Sequence, residues 1–109
     1  MNQPARLPLN PSDSIAIERI VSAVLKNHTI SLRLFGSRAR GDARAVSDID
    51  LALMANPAVT PLELAEIRDA LEESCIPYRI DFLDYAKAPN TLQHVIDQEG
   101  IAWPVQNSA

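Results

Sequence analysis

A glycine–serine turn followed by two closely spaced aspartates constrains this chain more than any other feature. Residues 34–54 read LFGSRARGDARAVSDIDLALM, with Gly36 and Ser37 after one apolar run and Asp48 and Asp50 at the start of the next. Side chains alternate between the faces of a strand, so we expect Asp48 and Asp50 to project to the same side. Two unit charges ~6 Å apart repel by about 3 kcal/mol at an effective dielectric of ~20. A bound cation would offset that repulsion.

This block resembles the motif of the polymerase-beta-like nucleotidyltransferase superfamily, an hG[GS] turn followed by a D-h-D strand. The match is closest to the minimal nucleotidyltransferases (MNT), whose pattern is G-S-x-A-R-G-x and then S-D-h-D-L. In this sequence that pattern is met by Gly36, Ser37, Ala39, Arg40, Gly41, Ser47, Asp48, Asp50 and Leu51. The resemblance covers most of the chain, from residue 15 to residue 100.

Length and composition favour a single domain and do not favour a nucleic-acid-binding protein. The chain has 109 residues, 47% of them hydrophobic and 22% charged, which is ordinary for a globular domain. Its net charge of -4 argues against non-specific binding to nucleic acid, because such binding needs a basic surface. We therefore expect no direct nucleic-acid contact.

The cysteine count and the hydropathy pattern indicate a cytoplasmic chain. Cys75 is the one cysteine, so no internal disulfide can form. We expect it on the apolar side of a helix, as a small core residue. No apolar run approaches the ~20 residues that span a membrane, and residues 1–11 lack the apolar core of a secretory signal. We expect no membrane association.

Hydrophobic periodicity predicts alternating helices and strands after a loose arm. Residues 1–11 contain three prolines and no periodicity, so we expect a flexible arm there and a single domain over residues 12–105. A first helix, with Ser12 or Ser14 as candidate caps, is predicted from the spacing of Ile17, Ile20, Val21, Val24 and Leu25. Alternation predicts a strand through Ile30, Leu32 and Leu34, and a short helix follows within residues 38–44.

The second half of the chain continues the same order. A second strand carries Ile49, Leu51 and Leu53 opposite the aspartates. A helix begins at Thr60, which Pro61 and Glu63 support as a cap. A third strand is expected through Tyr78, Ile80 and Phe82, and a last helix runs from Asn90 to Gly100. This order is compatible with α/β or α+β, with a small mixed sheet and flanking helices. The resemblance implies the nucleotidyltransferase palm, an α+β fold.

Three aspartates are the candidate catalytic and metal-binding residues. Asp48 and Asp50 have the ligand type that Mg²⁺ prefers, and two such ions can hold both the attacking and the leaving oxygen of a phosphoryl transfer. The resemblance implies a third carboxylate from a neighbouring strand, and Asp81 is the position that fits. It would bind the metal or accept the proton of the attacking hydroxyl. The alternative is a surface acid paired with Arg79, and Asp84 is a weaker rival on the other face.

The nucleotide-binding candidates surround the glycine–serine turn. Gly36 lets a phosphate approach the backbone, because it has no Cβ. Ser37 offers a hydroxyl and an amide. Arg38 and Arg40 are candidates for contacts to the triphosphate of ATP, and Arg40 is the better match to the family pattern. The alternatives are a tight turn with a cap, and arginines that are solvated or paired with Asp42.

What the resemblance implies about function is an enzyme that modifies a partner protein. Minimal nucleotidyltransferases are commonly paired with a HEPN-type toxin and act as antitoxins, in a type VII-like manner, by transferring AMP from ATP to a tyrosine of that toxin. Two alternatives stay open: an antitoxin that neutralises its partner by binding alone, and a nucleotidyltransferase acting on a small molecule such as an aminoglycoside. The absence of an appended acceptor domain weighs against the latter, and the paired acids weigh against the former.

Overall fold

The computed structural model describes residues 7–42, 44 and 46–103 as a mixed sheet with helices on both faces. In chain order the elements are α1 (Pro11–Val24), β1 (Thr29–Phe35), α2 (Ser37–Arg40), β2 (Ile49–Asn56), α3 (Pro61–Glu72), β3 (Ile80–Asp84), a 3-10 turn (Tyr85–Lys87), α4 (Asn90–Glu99) and β4 (Ile101–Ala102). The strand order is β3-β2-β1-β4. Strand β2 pairs with β1 in antiparallel and with β3 in parallel, and β4 is antiparallel to β1. The predicted α+β class with a small mixed sheet is confirmed.

The main core lies on the face of the sheet that packs against α1 and α3. Its fully buried members come from alternate positions of the strands and from the apolar stripes of the two helices: Ile17, Val21, Leu32, Leu34, Ile49, Leu51, Leu53, Ile67 and Phe82. A smaller cluster of Phe35, Ala52 and Ile96 lies on the opposite face, under α4. Asp50 and Asp81 alternate with the main-core residues of their strands, and they therefore lie on the face with the smaller cluster.

The helix starts follow local capping chemistry. Thr60 and Glu63 form the predicted capping box of α3, with each side chain bonded to the other residue's backbone N–H. Helix α1 begins at Pro11, one residue inside the predicted arm, because the Asn10 side chain caps it and proline suits the first helical position. Asn10, rather than Ser12 or Ser14, is thus the cap. The arm's residues 1–6 and the predicted domain end at residue 105 lie outside the described residues.

Several predicted boundaries shift, and one expectation is wrong. Helix α2 ends at Arg40, because Gly41 takes the left-handed conformation. Strand β3 begins at Ile80 instead of Tyr78. Cys75 is exposed and follows α3 instead of lying on its apolar side. The reason is that the Ser74 hydroxyl donates to the carbonyl of Leu71 and helps end the helix before the cysteine.

After α4 the chain adds an edge strand to the sheet. This strand, β4, was not predicted. Trp103 directly beyond it is buried, and its backbone N–H donates to the Leu32 carbonyl at 2.8 Å. Throughout residues 7–42, 44 and 46–103, every helix is too short or too polar to span a bilayer.

Candidate active site

Asp50 and Asp81 lie side by side on adjacent strands. They are register partners in the parallel pair of β2 and β3, so both side chains leave the same face of the sheet. Asp48 is exposed and lies immediately before β2, not within it. Asp84, the weaker rival, is a partner of Leu53 on the main-core face, where it is buried and caps the 3-10 turn through the Ala86 N–H. The structure thus brings Asp50 and Asp81 together and places Asp84 elsewhere.

The glycine–serine turn closes over the Asp50 carboxylate. Gly36 has φ 78° and ψ -158°, a conformation that is essentially restricted to glycine. A Cβ at Gly36 would overlap Asp50 Oδ2 and would lie 3.1 Å from Asp50 Cγ. The glycine is therefore required for two reasons, its backbone conformation and the space that the carboxylate occupies. The carboxylate thus occupies the space beside Gly36 that the sequence pattern predicts for a phosphate.

The electrostatic environment of Asp50 is crowded with negative charge. Burial raises the pKa of its carboxyl group, and the charges of Asp81 and Asp48 raise it further. The positive charges of Arg40 and Arg38 act in the opposite direction and do not cancel the rise in pKa. The surroundings of Asp50 thus disfavour its ionised form, and a bound cation would favour that form.

Arg38 is engaged within the chain. Its Nε and Nη2 atoms donate to the Ser47 carbonyl at 3.1 and 2.6 Å, and its guanidinium lies 4.4 Å from the centre of the Tyr78 ring. The pair of hydrogen bonds fixes the backbone one residue before Asp48. Arg38 therefore positions the start of β2, and its predicted contact with the triphosphate stays a prediction.

Arg40 connects the turn to the end of α4. It contacts Asp42 Oδ2 at 3.3 Å, which is the ion pair named above as its alternative, and Glu99 Oε1 at 3.1 Å. The two acids raise the pKa of Arg40, with the Asp42 hydrogen bond as the largest cause. The same Glu99 oxygen accepts a hydrogen bond from the Gly36 N–H at 3.2 Å.

Glu99 and Tyr78 are the site residues that the sequence argument missed. Nothing in the local sequence signals Glu99, because the apolar pair Ile101 and Ala102 after Gly100 is shorter than the runs that predict a strand. Tyr78 was assigned to the core face of a strand, whereas it precedes β3 and stacks on Arg38.

The acidic residues fit a metal that is shared with a nucleotide better than one enclosed by protein. In the part of the chain that the structure describes, no three His, Cys, Asp or Glu side chains lie close enough together to enclose a metal ion. Mg²⁺ is usually held by one or two carboxylates together with substrate phosphates and water. Asp50 with Asp81 or Asp48 meets that requirement. Burial and the charges of Asp81 and Asp48 disfavour the ionised form of Asp50, and a cation would favour it.

Comparison with known proteins agrees with this geometry. A probable protein adenylyltransferase MntA of Haemophilus influenzae is 28% identical over 92 residues, which cover 84% of this chain and 79% of that protein. A solved toxin–antitoxin structure with AMP-PNP is 25% identical with a TM-score of 0.63, over 82% of this chain and 74% of that one. The solved toxin–antitoxin MntA-HepT is 20% identical with a TM-score of 0.65, over 86% and 72%, and shows the shared fold.

The family assignment covers the whole site. Residues 18–103 match the family described as polymerase beta, nucleotidyltransferase, and this range contains the turn, the three aspartates and Glu99. The resemblance inferred from the sequence is confirmed, and with it the class of enzyme. This chain belongs to the polymerase beta nucleotidyltransferase family.

Proposed function

We propose that this chain is a Mg²⁺-dependent protein adenylyltransferase that transfers AMP from ATP to a hydroxyl of a partner toxin and thereby acts as its antitoxin. The observation that carries the proposal is the pairing of Asp50 with Asp81 directly beside the Gly36 turn. Two carboxylates beside a backbone that can bind phosphate are the arrangement that nucleotidyl transfer requires.

The nucleotide would bind alongside the turn and the aspartates. Its triphosphate would lie against the Gly36 and Ser37 amides and the Arg40 guanidinium, which lies at the surface and is reachable from solvent. The similar toxin–antitoxin structure with AMP-PNP supports an adenine nucleotide. When bound at Asp50 together with Asp81 or Asp48, magnesium would supply the positive charge that the triphosphate and the departing pyrophosphate need.

The chain's own residues would orient the acceptor and take up its proton. The acceptor oxygen forms a bond to the α-phosphorus, the bond from that phosphorus to the bridging oxygen breaks, and pyrophosphate leaves. Asp81 is exposed on the sheet face and is the carboxylate we assign to receive the hydroxyl proton. Asp50, half-buried under Gly36, would stay fixed while the acceptor approaches.

The acceptor has an open approach to Asp81. A cavity of about 650 Å³ lies between α3 and the outer edge of β3, and its lining includes Arg68, Tyr78, Arg79 and Asp81. Because α3 packs on the main-core face, this cavity lies mainly on the face opposite the Asp81 carboxylate. The exposed position of Asp81 on the edge strand β3 is what lets the side chain of a docked protein reach it. We assign the acceptor hydroxyl to a tyrosine of a HEPN-type toxin, in keeping with the toxin–antitoxin pairs among the similar structures.

The test uses the protein encoded by the gene next to this one. The two purified proteins are incubated with ATP and Mg²⁺, and the intact mass of the partner is measured. We expect the partner to gain the mass of one or more AMP units with wild type and none with Asp48→Asn/Asp50→Asn. Peptide mapping then identifies the modified residue, and a residue other than tyrosine would overturn that part of the proposal.

The same double variant separates catalysis from neutralisation by binding. It should still bind the partner in a pull-down, because the substitutions change charge without changing side-chain size. It should fail to protect cells from the toxin. Protection equal to that of wild type, at equal expression, would show that binding alone neutralises the toxin.

A further inference from the structure

Glu99 occupies the hydrogen-bond donors that the proposed reaction assigns to the nucleotide. One of its oxygens, Oε1, accepts from both the Gly36 N–H at 3.2 Å and Arg40 Nη1 at 3.1 Å. The Glu99 side chain is 23% exposed, so the contact is at the mouth of the site and can be displaced. A carboxylate oxygen between a backbone N–H and a guanidinium has the same surroundings as a phosphate oxygen would have.

The position of Glu99 is set by the register of the sheet. Strand β4 pairs Ile101 with Leu34 and Ala102 with Arg33. When that register is continued by two residues, Glu99 comes opposite Gly36. The intervening Gly100 permits this close approach, because a Cβ there would overlap the Ile96 carbonyl and lie 3.3 Å from Arg33 Cδ. The fold thus brings the Glu99 backbone close to Gly36, and the Glu99 side chain completes the contact through its carboxylate.

We propose that Glu99 is an internal competitor of the nucleotide's phosphates, which occupies the Gly36 amide and Arg40 until a triphosphate displaces it. This inference rests on the proposed function and adds to it a residue that sets nucleotide affinity. On displacement, the Gly36 N–H and Arg40 would donate to a phosphate oxygen instead of the Glu99 carboxylate, and Glu99 would move into solvent. A ligand with several phosphate charges and a metal ion can compete for these donors, whereas a weakly charged ligand cannot.

A different role for Glu99 leads to the opposite result. If Glu99 held the turn and Arg40 in the conformation that binds phosphate, its removal would weaken nucleotide binding. If Glu99 competes, its removal strengthens binding. The sign of the change in affinity therefore decides between competition and support.

The experiment measures the affinity for MgATP by calorimetry in wild type, Glu99→Gln and Glu99→Ala. Each variant is first checked by circular dichroism and thermal unfolding, and Gln keeps the size of the side chain if Ala proves unstable. We expect the dissociation constant to fall by roughly tenfold, the equivalent of one hydrogen bond to a charged group. The matched control is Asp97→Asn, which removes one negative charge from the same helix, where Asp97 contacts Arg33 and Tyr85. It should change the affinity by about twofold or less.

A second measurement does not depend on nucleotide binding. In ¹H–¹⁵N spectra, the Gly36 amide of the apo protein should shift in Glu99→Ala and stay in place in Asp97→Asn. Equal or weaker MgATP binding by both Glu99 variants would overturn the competition and leave the proposed function intact. Binding of MgATP by neither wild type nor variant would overturn both proposals.

Discussion

Asp50 and Asp81 are register partners in adjacent parallel strands, and each carries its carboxylate on the same face of the sheet. The pKa of Asp50 is raised, first by burial and then by Asp81 and Asp48. A carboxyl group whose pKa is higher in the folded than in the unfolded protein lowers stability as the pH rises through the folded pKa. The raised pKa of Asp50 therefore lowers the stability of the apo protein at pH values above the ordinary titration range of an aspartate.

Asp50→Asn should raise the melting temperature of the apo protein at neutral pH, because the substitution removes a charge that its surroundings disfavour. The gain should shrink at acidic pH, where the wild-type carboxyl group is protonated as well. Thermal unfolding from about pH 4 to 8 measures this difference. Asp69→Asn, an exposed acid of α3, is the control and should show no such gain. A lower melting temperature at neutral pH would show that Asp50 supports the fold.

Gly36→Ala should destabilise the protein more than Gly41→Ala does. Both glycines have positive φ, 78° and 85°, so both substitutions introduce backbone strain of about 1–3 kcal/mol. An added Cβ at Gly41 has nothing within 4 Å, whereas at Gly36 it overlaps the Asp50 carboxylate. Urea unfolding gives the two free energies, and MgATP titration should show a loss of binding only for Gly36→Ala. Equal losses of stability would mean that the Asp50 carboxylate moves aside freely.

Arg38→Lys should destabilise the backbone that leads into Asp48. Lysine cannot reproduce the two hydrogen bonds to the Ser47 carbonyl or the planar stacking on Tyr78. We expect a loss of about 1–3 kcal/mol in stability and faster amide exchange near residue 48. Arg79→Lys, at an exposed position, serves as the control. Unchanged stability with weaker MgATP binding would instead support the predicted contact between Arg38 and the triphosphate.

His28 should make stability depend on pH far from the active site. Its ring contacts the Pro57 carbonyl at 2.6 Å and Glu63 Oε2 at 2.9 Å, and these hydrogen bonds raise its pKa, with Pro57 as the larger cause. Both ring nitrogens can donate only when the ring is protonated. The stabilisation is therefore complete below the ordinary pKa of about 6.5 and is lost as the pH rises through the folded value.

The corresponding measurement compares wild type with His28→Gln across pH. The pKa of Glu63 is lowered, by the Thr60 backbone first and by His28 second, so its contribution is lost only at lower pH. The difference in melting temperature should be largest between about pH 5 and 6.5 and should decline toward pH 9. His94→Gln, on the exposed face of α4, should show no such profile. A difference that does not vary with pH would mean that His28 acts without its charge.

The parts of the site that local sequence determines could be predicted. Thr60 and Glu63 specify a helix start through contacts within one turn, and the alternation around Asp50 specifies a strand with the acid on one face. Alternation placed Asp81 on the face opposite Ile80 and Phe82, and the family resemblance implied that it would join Asp50. Which strand position would lie opposite Asp50 could not be predicted, because register is a tertiary property.

What could not be predicted depends on pairings between distant residues. Strand β4 has two residues and no periodicity of its own, and its pairing with β1 is what brings Glu99 to Gly36. Arginine is a residue type that commonly binds phosphate. The guanidinium of Arg38 nevertheless contacts the ring of Tyr78, which is distant in sequence, and donates to the Ser47 carbonyl, a backbone group that residue types do not reveal.

The position of Trp103 directly beyond β4 makes its fluorescence a probe of this edge of the sheet. Trp103 is the single tryptophan of the chain, is buried, and donates its backbone N–H to Leu32 directly beyond the strand that positions Glu99. Separation of this edge from β1 would remove Glu99 from the turn and expose the indole ring together. Intrinsic fluorescence would therefore distinguish such an opening from a displacement of the Glu99 side chain alone, which leaves Trp103 buried.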